Sequence, residues 1–183
     1  MRSIILIIVI FSTPFVMSAA EKVFPQTAVN THELKTIPAS KLIVSQSDGY
    51  YFGGNNSLFR PLFRYISQND IAMTTPVEAE MRPGKMYFYI GRDAADRDLS
   101  SNAEVEVLEL PERLVASLGS RGSYSEQNFN RAMESLENWL ADHPTHKADG
   151  AARAIFWNGP DVPGFMKRFE VHIPVVEKAA DDD

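Results

Sequence analysis

Between Leu58 and Ile66 the apolar residues return at spacings of three and four. Leu58, Phe59, Leu62, Phe63 and Ile66 share one face of a predicted helix, with Tyr65 at its flank and Arg60, Arg64 and Gln68 turned outward. Asn55, Asn56 and Ser57 supply capping side chains, and the helix is expected to end near Asn69-Asp70. Pro61 then falls in the first turn, where a missing N–H costs little. A second stripe runs through Phe129, Met133, Leu136 and Leu140, widened by Ala132 and Trp139. Ser123-Tyr124-Ser125-Glu126 reads as a capping box before it, and His143-Pro144 as its stop.

Around the helices the pattern changes to strands. Pro38 to Ser45, Met73 to Met81 and Lys85 to Ile90 are expected strands, the last two joined at Pro83-Gly84. Val105 to Glu109, Arg113 to Leu118, Ala152 to Trp157 and Arg168 to Val176 follow, with strand breaks expected at Gly119 and Gly122. Strand, helix, strand, strand occurs twice, the helices roughly 70 residues apart, a longer interval than solenoid repeats use. The expected class is α+β, a duplicated strand-helix-strand-strand unit forming a distorted antiparallel β-barrel with two flanking helices. The domain is placed at 34–177, its pseudo-repeats at about 34–103 and 104–177.

The ends carry other signals. Residues 1–20 read as an export signal: Arg2, an apolar run from Ile4 to Phe11, Pro14, then Ser18-Ala19-Ala20 as the site for cleavage. The run is short for a span of ~20 residues, which favours cleavage over a retained anchor and a secreted or periplasmic product. Residues 21–33 lack periodicity and are expected to form a flexible leader; 178–183 form an acidic tail. The formal charge of −6 becomes about −7 once Arg2 is removed. That balance argues against nucleic acid as a partner, and against stable anchoring on an anionic membrane. The absence of cysteine excludes disulfides, thiolate metal sites and cysteine nucleophiles together.

Catalytic constellations are missing. There is no Gly-x-Ser-x-Gly turn, and the Gly49 to Gly54 stretch lacks the Lys-Ser/Thr ending of a phosphate loop. Glu104 and Glu106 share a strand face as alternating exposed positions. His143 and His146 straddle Pro144, His32 lies in the leader, and His172 alternates with apolar neighbours and is expected to face outward. No metal site assembles from these four, and no catalytic residue is assigned.

The segment Phe59-Arg60-Pro61-Leu62-Phe63-Arg64-Tyr65-Ile66, a short polar link and Ile71-Ala72-Met73-Thr74-Thr75-Pro76-Val77 resembles the central signature of the SOUL haem-binding protein family. Pro38-Ala39, Gly122, Asn158-Gly159-Pro160 and Arg168-Phe169-Glu170-Val171 match further, with Phe169 where the family carries Asn. The likeness covers residues 34–176. It implies the barrel fold and a haem or other tetrapyrrole held in a groove between the first helix and the closing loop, without an obligatory axial His. Phe59, Leu62, Phe63, Ile66 and Met73 are the expected apolar wall, and Arg64, Lys167 and Arg168 the cations for propionates. Burial at ~25 cal/mol per Å² is enough for micromolar binding without an iron ligand. Two alternatives stay open: an effector-binding or protein-interaction module for another planar apolar ligand, and a tetrapyrrole-modifying enzyme. The oligomeric state is not encoded in any of these patterns.

Overall fold

The computed structural model describes residues 20–53 and 57–179. The export segment up to position 19, the capping residues Asn55 and Asn56, and residues 180–183 of the acidic tail lie outside the described residues. Helix α1 spans Phe59–Gln68, with Leu58 at its N-cap and no side-chain cap bond there. Leu62, Tyr65 and Ile66 are its buried residues, so the stripe that docks is rotated towards Tyr65. Phe59 and Phe63 are left at the margin, 48% and 51% exposed. A ten-residue helix on a sheet buries one narrow stripe, and these two rings fall outside it. Helix α2 spans Glu126–Ala141; its N-cap is Ser125, whose hydroxyl accepts from the Asn128 N–H, and Ser123 lies two residues outside the cap.

The strands are β1 (Glu21–Lys22), β2 (His32–Ile37), β3 (Ser40–Gln46), β4 (Thr74–Thr75), β5 (Val77–Glu80) and β6 (Lys85–Tyr89). They continue as β7 (Glu106–Leu110), β8 (Arg113–Arg121), β9 (His146–Ala148), β10 (Arg153–Phe156) and β11 (Arg168–Glu177). Pro76, which has no N–H to give a ladder, separates β4 from β5. The main sheet runs β2-β8-β11-β10-β5-β6-β3-β7, with β9 added beside β11, and its pairings are antiparallel. β2 and β7 are its two edges, so the expected barrel is a strongly curled half-barrel.

That order carries the duplication. β8-β11-β10 mirrors β3-β6-β5, and the halves meet at β5 and β10, where Val77 faces Phe156 and Ala79 faces Ala154. Each preceding strand crosses over: β2 pairs with β8 of the other half, and β7 with β3. The exchange closes both halves into one sheet around a shared axis. Leu136, Phe129 and Leu140 of α2 pack on Ala116, Phe156 and Val171, while Leu62, Tyr65 and Ile66 of α1 pack on Ile43 and Phe88.

The opposite face holds a third core of Ile37, Leu42, Val44, Tyr87, Tyr89, Ile155 and Trp157, completed by Phe24. Phe24 comes from the segment read as a flexible leader. Its ring, 4% exposed, meets Tyr89 and Trp157 edge-on at 5.7 and 5.5 Å. β1 pairs parallel with β4, so residues 21–31 form a packed strap; one large aromatic ring outweighs an aperiodic sequence. Gly119 is where the strap crosses β8. A Cβ there would lie 2.2 Å from the Ala28 carbonyl oxygen, so the strand expected to break at Gly119 instead runs through it to Arg121.

Candidate functional site

A cleft of about 730 Å³ lies on the helix side above the Val77–Phe156 pair of the two-fold axis. Its volume is that of small-molecule sites. Phe156 forms the floor, with Tyr124 tilted against it at 4.4 Å and Tyr51 stacked at 6.0 Å. Phe59 at the start of α1 and Met73 ahead of β4 make one wall; Asn158, Gly159 and Pro160 make the other.

The loop between β10 and β11 is held shut by polar bonds. The Tyr124 hydroxyl donates to the Arg168 carbonyl at 2.8 Å and accepts from the Asn158 N–H at 2.8 Å. The Asn158 side-chain carbonyl accepts from the Arg168 N–H at 2.6 Å. Burial pushes the Tyr124 hydroxyl up to about 12, against the Asn158 and Trp157 backbone bonds that lower it, so it stays protonated and able to donate. Lys167 completes the rim, its ammonium 4.8 Å from the Tyr124 ring centroid. It is the only cation on the cleft wall among the described residues, and neither a carboxylate nor a histidine lines it.

The expected site residues separate into three groups. Phe59, Met73 and Lys167 line the cleft. Leu62 and Ile66 are buried under α1, and Phe63 stands outside the wall, stacked on Phe59 at 5.6 Å. Arg64 pairs with Glu104 at 2.8 Å on the outer side of α1, and Arg168 starts β11 behind the loop; neither lines the cleft. Tyr51, Tyr124 and Phe156 are the wall residues that periodicity did not single out. The run Tyr50-Tyr51-Phe52 before a glycine pair was the available signal, three rings together where a loop needs none.

Two carboxylates sit on the face turned from the helices. Glu78, fully buried, accepts from Arg113 and Arg153 at 2.6 Å each and from the Tyr89 hydroxyl. Burial alone would raise it; the two guanidinium charges win and hold it at about 2. Glu170 accepts from the Thr27 N–H, Trp157 Nε1, Lys35, Ser117 and His172. Burial raises it too, and the His172 bond and charge, then Lys35, bring it to about 2. His172, expected outside, is 2% exposed and burial lowers its pKa, because the face it occupies is covered by Phe24. Its Nε2 meets Glu170 at 2.7 Å, with that carboxylate between it and Ser117, so no serine–histidine pair forms. His143 and His146 lie ring to ring at 5.3 Å, and no cluster of three metal-binding side chains forms among the described residues.

An open apolar cleft fits a flat apolar ligand with an anionic edge. Met73, Met86, Tyr51 and Tyr124 bring thioether and phenol groups to the lining, and the Tyr124 hydroxyl is already engaged with Arg168 and Asn158. Comparison with known proteins bears on the fold first. The C-terminal domain of EcmrR superposes with TM-score 0.65 at 13% identity, over 81% of this chain and 98% of that one. The whole EcmrR chain in its DNA complex matches with TM-score 0.64 at 14% identity, and there this chain spans 58% of the partner's length. A hydrolase from Listeria innocua matches with TM-score 0.54 at 12% identity, over 82% and 94% of the two chains. Identities this low establish a shared half-barrel fold. No curated protein matches the chain. The family model described as SOUL heme-binding protein matches residues 20–174, from the strap that carries Phe24 almost to the end of β11. The chain belongs to the SOUL haem-binding protein family.

Proposed function

We propose that this chain binds haem or another tetrapyrrole in the cleft between α1 and the β10–β11 loop. The observation that carries the reading is the cleft itself: an apolar trough with aromatic floor and, among the described residues, one cation and no carboxylate on its wall. The macrocycle would lie over Phe156 and Tyr124, against Phe59 and Met73, with a propionate at Lys167. When bound it supplies only its own light absorption and redox chemistry; the protein's part is to shield one face and hold the acidic edge. In this reading the macrocycle is held by its apolar faces and its acidic edge, without an obligatory axial histidine. The chain acts as a binding protein with no catalytic assignment, and export through cleavage after Ala20 places it in a secreted or periplasmic compartment. β1 begins at Glu21, the residue that cleavage would leave first.

Absorption titration of the purified protein with haem and with metal-free protoporphyrin tests this. Saturable binding of both, with affinities within about tenfold, is expected. Binding of neither, or binding of bile pigments and chlorins alone, would move the assignment to an effector-binding module for a different planar ligand.

A further inference from the structure

We propose that the mouth of the cleft is a docking surface for an anionic lipid bilayer. Among the described residues five large apolar side chains are exposed: Phe59, Phe63, Phe165, Met166 and Val176. Four of them lie on the two segments that supply the cleft walls, α1 and the β10–β11 loop. Phe59 lines the cleft and carries Phe63 stacked on it; on the facing arm Phe165 and Met166 form the 3₁₀ turn Gly164–Met166, directly before the rim residue Lys167. Phe165 is 76% exposed and Met166 53%, values that no packing need within the chain explains.

Charge selects the occupant. On each arm an exposed apolar group is followed by a cation, Phe59-Arg60 on α1 and Phe165-Met166-Lys167 on the loop, whereas Arg64 is paired with Glu104 and Arg168 lies behind the loop. α1 has no acidic residue, and Asp161 is the single one between β10 and β11. A chain with a formal charge of −6 thus carries an aromatic rim beside its apolar cleft with Arg60 on one arm and Lys167 on the other. Aromatic and long apolar side chains beside Arg and Lys are the pattern of interfacial insertion into anionic headgroups. A second copy of the chain would have to set these cations against their own kind. The geometry lets an apolar ligand pass between hydrocarbon and cleft without entering bulk water. Docking itself does not depend on which ligand the cleft takes, so its failure and the failure of tetrapyrrole binding are separate results.

The absence of cysteine makes a site-local test direct. Phe165→Cys in the full chain is labelled with an environment-sensitive fluorophore, and Glu134→Cys on exposed α2 is labelled as the control. Vesicles of phosphatidylcholine alone and of phosphatidylcholine with phosphatidylglycerol are titrated in. A blue shift at 165 with the anionic vesicles, weaker with the neutral ones and absent at 134, is expected. Adding Phe63→Ser and Met166→Ser should weaken the titration at least tenfold. No shift at 165, an equal shift at 134, an unchanged affinity in the added variant, or a shift that grows with protein concentration before any lipid is added would each overturn the proposal.

Discussion

The indole N–H of Trp157 donates to the buried carboxylate of Glu170 at 2.8 Å, on the face of the sheet turned from the helices. Trp157 borders the cleft; Glu170 anchors the N-terminal strap through the Thr27 N–H and holds Lys35 and His172. Cleft shape and strap position therefore rest on the same side chain.

Glu170→Gln should cost roughly 3 kcal/mol, because Lys35 loses the buried carboxylate it pairs with at 2.9 Å and the Thr27 N–H, Trp157 Nε1 and Ser117 donors lose an anionic acceptor. Urea unfolding followed by tryptophan fluorescence measures it. A loss below about 1 kcal/mol would mean that the hub is decorative.

Acid should unfold the protein in a defined window. Glu78 and Glu170 are both held at about 2, below the ordinary carboxylate value of 4.5. Their stabilisation is complete above 4.5 and is lost as pH falls towards 2, where the folded state must also take up protons. His172, lowered by burial, adds to the same direction below 6.5, since the unfolded chain binds its proton more readily. The urea midpoint should fall slightly from pH 7 to 5 and steeply from pH 4.5 downward; a flat profile to pH 3 contradicts this.

Lys167→Glu should weaken haem about tenfold or more, while the haem dimethyl ester, which lacks propionate charge, is little affected. Arg64→Glu should leave both nearly unchanged, because Arg64 is engaged with Glu104 outside the cleft. If Arg64→Glu gives the larger loss, the propionate lies on the outer side of α1.

Phe59→Ala and Leu62→Ala should separate binding from stability. Phe59 is half exposed and lines the cleft, so its loss should weaken binding severalfold at a cost of about 1 kcal/mol or less. Leu62 is fully buried, and its truncation should cost about 3 kcal/mol with affinity retained in the folded fraction. Calorimetry paired with absorption titration reads both quantities.

The sequence by itself determined the two helices, seven of the main strands, the duplication and the family signature. Each rests on local periodicity, on caps such as Ser125, or on Gly and Pro punctuation, all of which act within a few residues. The same residues pointed to a groove beside α1, and Phe59, Met73 and Lys167 do line one. What tertiary structure decided were relations between distant positions. The exchange of β2 and β7 between halves depends on which sheet edge each strand meets. Phe24 turned a leader into a strap because a gap between Tyr89 and Trp157 was left to fill. His172 is buried because Phe24, distant in sequence, covers its face, and Arg64 is held away from the cleft by Glu104, forty residues on. A pattern of apolar positions records how much surface an element must bury; only packing decides which other element covers it.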